Sequence, residues 1–308
     1  MEYSHQIPTL NHPTAIALGL FDGLHLGHRA VIQQAVSCAP KLCPLVFTFQ
    51  FDRPEDITKP DFANILTHTR KEQILKKLGV QLVCEPPFSL FRNLSPTEFF
   101  SEILVKRLHA GAIFCGEDFH FGKNAAGDAN LLHALCKQAG IHFYAVPPLL
   151  VDGNVVSSTQ IRHLLREGDP LQAAKLLGEP YTIDYPVAHG RQLGRTMGFP
   201  TINQIFKTGD LIPRNGVYAS VAQVGNCRYP AVTNVGIKPT LGGKDAPSAE
   251  STLLGFEGDL YGQAIPVSFY AFLRPEQRFD SIERLFRQVA LDAQQAEKLW
   301  PEIQAHLS

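Results

Sequence analysis

The sequence predicts an α/β domain built on a mostly parallel sheet, followed by a compact antiparallel β domain and a final helix. In the first half, short apolar runs of strand length alternate with apolar patterns of helical spacing, which is typical of a parallel sheet covered by helices. Beyond residue 181, β-branched and aromatic runs alternate with glycine, proline and asparagine, which indicates an antiparallel barrel or sandwich. A length of 308 residues favours two domains. We place them at residues 1–180 and 181–308.

Composition and charge restrict the classes of function. The chain is 44% hydrophobic and 19% charged, and its formal net charge is -1, so no overall positive field favours nucleic acid or an anionic membrane as a partner. The N-terminus lacks the pattern of a secretory signal, and no run of about 18 apolar residues suggests a membrane span. The six cysteines form no C-x-x-C pair. We therefore expect a cytoplasmic protein with free thiols.

Local patterns place the individual elements. Two capping boxes predict helix starts, one at Thr69 with Glu72 and one at Ser95 with Glu98. The last helix is predicted to begin at Asp280. The other predicted elements are strands over residues 15–18, 45–49, 80–84, 112–115, 141–146, 216–221 and 266–272, and helices over residues 31–36, 128–138 and 168–180.

Residues 19–28 form a glycine-rich turn between the first buried strand and the first helix. In such a layout the backbone N–H groups of the helix start are presented to an anion. His25 and His28 are three residues apart, so on the first helical turn they share a face. This pattern favours a polyphosphate site. The alternatives are a zinc site and two ordinary surface histidines, but no cysteine or acidic residue lies at zinc spacing.

A second cluster of polar residues follows the predicted parallel sheet. Ser158 and Thr159 suit a helix start, and Arg162 lies one turn further on. Hydroxyls, unbonded N–H groups and a guanidinium at one helix start suit a phosphate group. The alternative is a plain helix cap with a solvated arginine.

The β-rich half carries a dense motif of its own, residues 190–203. Its glycines predict a flexible flap ahead of an extended segment in which Thr201 and Asn203 point to the same side. Both offer hard oxygen donors that suit Mg²⁺ held mainly by nucleotide phosphates. The alternative is a glycine-rich hairpin with polar tips.

These motifs carry a resemblance to known families. Residues 19–28 resemble the G-x-F-D-G-x-H-x-G-H signature of the nucleotidyltransferases, and residues 158–162 match that superfamily's second element. Residues 190–203 are similar to the G-x-x-x-G-x-P-T-x-N signature of riboflavin kinases, and residues 234–240 are similar to their N-[IV]-G-x-[RK]-P-T. Both halves in this order resemble the bifunctional prokaryotic enzymes that make FMN and then FAD.

The resemblance implies an architecture and two reactions. The expected fold is a Rossmann-like nucleotidyltransferase domain, followed by a small antiparallel β-barrel domain with a C-terminal helix. The C-terminal domain would phosphorylate riboflavin to FMN, and the N-terminal domain would adenylylate FMN to FAD with release of pyrophosphate. The implied partners are riboflavin, FMN, FAD and ATP, with Mg²⁺ accompanying ATP and the flavin serving as substrate and product.

The resemblance also implies the roles of particular residues. Glu250 would be the base of the kinase, and His25 and His28 would act on the transferred adenylyl group. ATP in the adenylyltransferase would contact Gly19, Phe21, Asp22, Gly23, Gly27, Asp118, Ser158, Thr159 and Arg162. Nucleotide and flavin in the kinase would contact Gly190, Gly194, Gly198, Pro200, Thr201, Asn203 and Asn234, with Thr201 and Asn203 also at the metal.

The chain departs from the family pattern at three places. Residues 50–54 replace a D-P-H-P-like turn, His120 follows Asp118 in a variable slot, and residues 184–186 replace a usual glycine. The first change puts flavin binding by the N-terminal domain in question. Rival hypotheses are a flavin kinase with an inactive N-terminal domain and a regulatory protein that binds flavin or nucleotide without turnover.

Overall fold

The computed structural model describes residues 1–53, 57, 62–188, 201–239 and 245–307. The chain divides into two compact units, one of residues 1–62 and 71–157 and one of residues 63–70 and 158–308. The segment 63–70 joins the second unit through hydrogen bonds such as that from the Asn64 amide to the Gly209 carbonyl, at 2.8 Å. The predicted domain boundary near residue 180 stays a prediction.

The first unit is built on a six-stranded parallel sheet. Its strands are β1 (Glu2–Ser4), β2 (Thr14–Leu18), β3 (Cys43–Phe47), β4 (Leu82–Cys84), β5 (Ala110–Gly116) and β8 (His142–Val146). They lie in the order β1-β4-β3-β2-β5-β8. Two short antiparallel pairs complete it, β6 (His120–Phe121) with β7 (Gly127–Asp128) and β9 (Leu150–Val151) with β10 (Asn154–Val155). The central strands are almost entirely apolar because helices cover both faces of the sheet.

The helices of this half follow the predicted alternation. They are α1 (Leu26–Val36), α2 (His68–Leu78), α3 and α4 (Ala129–Ala139). Helix α3 starts at Pro96–Glu98 and continues with π-type hydrogen bonding over Phe99–Arg107. The predicted capping box of Ser95 and Glu98 is confirmed, since each side chain bonds the other residue's backbone N–H.

The second unit combines helices with an antiparallel sheet of order β11-β16-β13-β14-β15-β12. Its elements are α5 (Ser158–Glu167), α6 (Pro170–Leu177), β11 (Thr182–Ile183), β12 (Thr201–Ile205), β13 (Gly216–Val224), β14 (Cys227–Pro239), β15 (Asp245–Leu253), β16 (Val267–Arg274) and α7 (Ile282–Leu307). The Ala188 amide donates to the Asn203 carbonyl at 2.8 Å, which brings the chain beyond β11 to the opposite edge strand. The sheet therefore closes into a small barrel, and α7 packs against it through Ala293, Ala296 and Leu299.

The predicted fold class is thus confirmed, and two predicted helix starts are wrong. The capping residue of α2 is Thr67, not Thr69, because the Thr67 hydroxyl accepts from the Arg70 amide at 3.2 Å. Helix α7 begins at Ile282 rather than Asp280, and the Ser281 hydroxyl accepts from the Arg284 amide at 3.3 Å. Neighbouring polar residues offered equivalent caps, and only the packing of the helix selects among them.

Candidate active sites

In the first unit, the turn after β2 leads into α1 with the two histidines at its start. His25 is the N-cap of α1, and its Nδ1 accepts the backbone N–H of His28 at 3.2 Å. The two rings stack with their centroids 3.6 Å apart. This stacking confirms the prediction that the two histidines share a face at the start of the helix. Their role in catalysis stays a prediction.

The capping bond determines which nitrogen of His25 carries the proton. Because Nδ1 accepts a hydrogen bond, it has no proton, and the neutral ring carries its proton on Nε2. The His25 ring is therefore uncharged while this hydrogen bond is made. The same bond occupies one of its two possible metal-binding nitrogens, and the described part of the chain contains no group of three or more His, Cys, Asp or Glu that could hold a metal ion. The choice between the anion and zinc interpretations stays a prediction.

The backbone of the turn is held in an unusual conformation. Phe21 and Leu24 have φ values of 47° and 42°, which non-glycine residues seldom adopt. A Cβ at Gly19 would lie 2.8 Å from the Phe21 ring, and one at Gly27 would lie 3.2 Å from His25 Cε1. A side chain at Gly19 would force the Phe21 ring to shift, and one at Gly27 would crowd the His25 ring. Asp22 and Gly23 are buried within the same turn.

The other predicted adenylyltransferase residues lie in the turn after β5 and at the start of α5. Asp118 is exposed and follows β5, and its backbone carbonyl accepts a hydrogen bond from His120 Nδ1 at 2.9 Å. Ser158 and Thr159 begin α5 in the second unit, and Arg162 is buried there with its Nε donating to the Ala63 carbonyl at 2.7 Å. Their predicted contacts with phosphate remain untested.

In the second unit, strand register brings the predicted kinase residues together. Asn203 of β12 and Asn234 of β14 both lie directly opposite Glu250 of β15. Opposite residues share a face of the sheet, and Thr201 shares it too because it is two positions from Asn203. This face is half-buried, whereas the alternating residues that point into the barrel, such as Gln204 and Ser251, have exposures of 0%.

Sequence reasoning missed a neighbour of this row. The Asn234 side-chain amide donates to Glu276 Oε1 at 3.4 Å, and a Cβ at Gly236 would collide with the Glu276 carboxylate. Glu276 lies two residues beyond the end of β16, and its position in the sequence gives only a weak indication of this contact. Gly190, Gly194, Gly198 and Pro200 lie outside the described residues.

Sequence reasoning also missed a buried ion pair that lies behind residues 19–28, which we call the histidine turn. Lys71 Nζ lies 2.5 Å from Glu85 Oε1, and Tyr3 and Gln50 donate to the other carboxylate oxygen. Burial by itself would raise the pKa of Glu85, but Lys71 and these hydrogen bonds lower it below its ordinary value. Burial raises the pKa of Tyr3. Glu85 is therefore held as a carboxylate.

The cysteines of the parallel sheet are not suited to act as nucleophiles. Burial raises the pKa of Cys84 and of Cys115 to about 12, so both remain protonated thiols at neutral pH. All six cysteines are free. Among the described residues no helix is long and apolar enough to cross a membrane.

Comparison with known proteins assigns a family to each half. Residues 7–160 match the FAD synthetase family and residues 177–300 match the riboflavin kinase family. A bifunctional riboflavin kinase/FMN adenylyltransferase of Pseudomonas fluorescens is 34% identical over 301 residues, covering 96% of both chains. The protein of that name from Escherichia coli K12 is 35% identical over 283 residues, covering 90% of both.

The fold of the whole chain also has a solved counterpart. A crystal structure of a Streptococcus pneumoniae protein described as a macrolide-efflux protein superimposes with a TM-score of 0.82 at 30% identity, covering 96% of this chain and 97% of that one. Since both family models match in order and the curated relatives align over nearly their full length, the chain belongs to the bifunctional riboflavin kinase/FMN adenylyltransferase family.

Proposed function

We propose that this protein makes FMN from riboflavin and then FAD from FMN, consuming one ATP in each step. The observation that carries the proposal is the presence of two separate, intact sets of reactive groups, one per unit. One is the stacked histidine pair at the start of α1. The other is the row in which Glu250 faces Asn203 and Asn234. We assign adenylyl transfer to residues 1–180 and phosphorylation to residues 181–308, a division supported by the two family matches.

In the kinase reaction, Glu250 would accept the proton of the terminal ribityl hydroxyl of riboflavin. The hydroxyl oxygen then forms a bond to the γ-phosphorus of ATP, and the bond to ADP breaks. The carboxylate lies on the half-buried outer face of the sheet, where a substrate can reach it. Asn203 and Asn234, on either side of it, would orient the phosphates and the flavin.

Magnesium is the metal that this reaction implies, and the residues present fit it. Thr201 and Asn203 offer hydroxyl and carbonyl oxygens on one side of β12, which suits an ion held mainly by nucleotide phosphates. When bound there it would neutralise phosphate charge.

In the adenylyltransferase reaction, a phosphate oxygen of FMN would attack the α-phosphorus of ATP, and pyrophosphate would leave. A phosphate dianion needs no general base, so the protein has to bind and neutralise charge. We assign this task to the Nε2–H group of His25 and to the start of α1, where the helix dipole favours an anion. We assign His28 to the same group and Ser158, Thr159 and Arg162 to the β- and γ-phosphates.

We further propose that the enzyme works in the cytoplasm, where flavin and ATP are available. The six free cysteines support this proposal, because a reducing compartment keeps thiols unpaired.

The test is to incubate the full chain with riboflavin and Mg·ATP and to separate the flavins by chromatography. Formation of both FMN and FAD supports the proposal. FMN alone would indicate a kinase with an inactive N-terminal domain, and neither product would indicate a flavin- or nucleotide-binding protein. A parallel incubation with FMN and Mg·ATP measures adenylyl transfer separately.

A further inference from the structure

Three buried polar side chains are linked by hydrogen bonds directly behind the histidine turn of the first unit. Thr48, Lys71 and Glu85 have exposures of 0%, 9% and 3%. Thr48 and Glu85 directly follow β3 and β4, so both lie at the carboxyl edge of the parallel sheet, where this fold class binds its ligands. Ionised pairs are seldom buried, because apolar residues of similar size often stabilise a fold as well. Stability alone therefore does not explain why this pair is buried.

Two of these hydrogen bonds run in one direction, from Lys71 to Thr48 and from Thr48 to the Leu20 carbonyl. An ammonium group only donates, so Lys71 Nζ donates to Glu85 Oε1 at 2.5 Å and to the Thr48 hydroxyl oxygen at 3.3 Å. The Thr48 hydroxyl has one hydrogen, which it donates to the Leu20 carbonyl at 2.6 Å. Charge at the start of such a series strengthens the bonds that follow. The series ends on the backbone of the histidine turn.

The Leu20 carbonyl belongs to the peptide that precedes the strained residue of the turn. Phe21 has a φ of 47° and is 1% exposed, and such a conformation persists only where the surroundings hold it. Its ring meets the His28 ring edge-on at 5.3 Å and occupies the space that a Cβ at Gly19 would need. The orientation of the Leu20 peptide therefore sets the position of Phe21 and, through it, of His28.

We propose that Thr48 is a positioning residue for adenylyl transfer, and that the Lys71–Glu85 pair directs its hydroxyl toward the Leu20 carbonyl. This inference rests on the proposed function, because it concerns the same site. It predicts that loss of the Thr48 hydroxyl lowers the rate of the chemical step while substrate binding and the kinase are retained.

The chain offers a matched control for the loss of a buried hydroxyl. Thr14 is also 0% exposed, and its hydroxyl donates to the Leu108 carbonyl at 2.7 Å. It begins β2 and lies at the amino edge of the same sheet, opposite the edge that carries the turn. Thr14→Val therefore removes the same kind of bond from the same unit without touching the turn.

The experiment compares Thr48→Val, Thr48→Ser and Thr14→Val in the full chain, with both activities measured on each preparation. We expect Thr48→Val to lower kcat for FAD formation about 10- to 100-fold, with KM for FMN and ATP and riboflavin phosphorylation within about twofold. Thr48→Ser keeps the hydroxyl and should restore most of the rate. Thr14→Val should leave kcat for FAD formation close to that of the unmodified chain.

A second variant tests the role of the ion pair. It also tests the inference independently if Thr48→Val folds poorly. Lys71→Met/Glu85→Gln removes both charges together, so neither is left buried alone. It should lower the same kcat with the kinase unchanged, and adding Thr48→Val should then have a smaller effect than in the unmodified chain.

The inference is overturned if Thr48→Val makes FAD at the normal rate, if Thr48→Ser is equally impaired, or if Thr14→Val has the same effect. It is also overturned if the charge-free double variant keeps the full rate. These outcomes require an unmodified chain that makes FAD. If the unmodified chain makes none, the proposed function itself fails.

Discussion

Asn203 and Glu250 lie directly opposite each other on neighbouring antiparallel strands of the barrel. Directly opposite residues have their Cβ atoms about 5 Å apart and share one face of the sheet. The glutamate therefore faces the segment that the sequence links to Mg·ATP, and Asn234 lies on its other side. Strand register alone therefore brings the proposed base next to Asn203, one of the two proposed metal ligands.

The first prediction concerns this carboxylate. Glu250→Gln keeps the size of the side chain but cannot accept a proton, so riboflavin phosphorylation should fall about 10²–10⁴-fold. Conversion of supplied FMN to FAD should persist. The exposed Glu257, on the loop after β15, provides the control E257Q, which should keep both activities. A parallel loss of both reactions in Glu250→Gln would contradict the division of labour between the halves.

The second prediction concerns the histidine pair. His28→Ala removes a ring that stacks on His25 and faces the turn, so FAD formation should fall about 10²–10³-fold. Riboflavin phosphorylation should be unchanged. The exposed His12 offers the control His12→Ala. Steady-state rates with FMN as the substrate make the comparison, and a normal rate in His28→Ala would remove this histidine from the site.

The third prediction separates helix stability from the geometry of the site. Alanine is a better helix former than glycine, so Gly27→Ala should not lower the thermal stability of the protein. Its Cβ would, however, lie 3.2 Å from Cε1 and 3.3 Å from Nδ1 of His25, closer than most such contacts, so the ring should shift by a few tenths of an ångström. We expect slower FAD formation at unchanged Tm. An unimpaired rate would show that the position of the His25 ring is not critical.

The fourth prediction concerns a buried ion pair in the second unit. Arg274 donates from two nitrogens to Asp292, whose side chain is 3% exposed. Asp292→Asn leaves the guanidinium without its charge partner and should lower the free energy of unfolding by about 3–5 kcal/mol. Urea denaturation followed by the fluorescence of Trp300, the single tryptophan of the chain, reports on this unit.

The control for this measurement is an exposed ion pair at the start of α7, the helix that also carries Asp292. Asp280 and Arg284 lie 3.2 Å apart with side chains 87% and 71% exposed, and solvent-exposed pairs of this kind contribute little. Asp280→Asn should therefore leave the urea midpoint almost unchanged. Equal effects of the two substitutions would show that burial of the Arg274–Asp292 pair is unimportant.

The fifth prediction is a pH dependence. The pKa of Glu85 in the folded protein is lowered by Lys71 and by hydrogen bonds, against the opposing effect of burial. Its contribution to stability is therefore complete above the ordinary glutamate pKa of about 4.3 and is lost as the pH falls through the folded value. Between pH 6 and acidic pH, Glu85→Gln should lose less stability than the unmodified chain.

Urea denaturation followed by circular dichroism, at a series of pH values, measures this difference. Glu102 forms an exposed pair with Lys106, and Glu102→Gln is the matched control that should keep the pH dependence of the unmodified chain. An identical pH profile in Glu85→Gln would mean that another carboxylate causes the acid loss of stability.

The sequence by itself determined the features that depend on residues close together in the chain. The alternation of apolar runs predicted the order of strands and helices, and the glycines and histidines of residues 19–28 predicted a turn that presents an anion site. Ser95 and Glu98 specified their helix start, because a capping box is completed within four residues.

The tertiary structure decided what depends on residues distant in the chain. Strand register placed Asn203, Glu250 and Asn234 in one row, and burial joined Thr48, Lys71 and Glu85 behind the turn. Neither grouping follows from local propensity, because hydrogen bonds between strands and the exclusion of water depend on how the whole chain packs. The same reason explains why Thr67 rather than Thr69 caps α2.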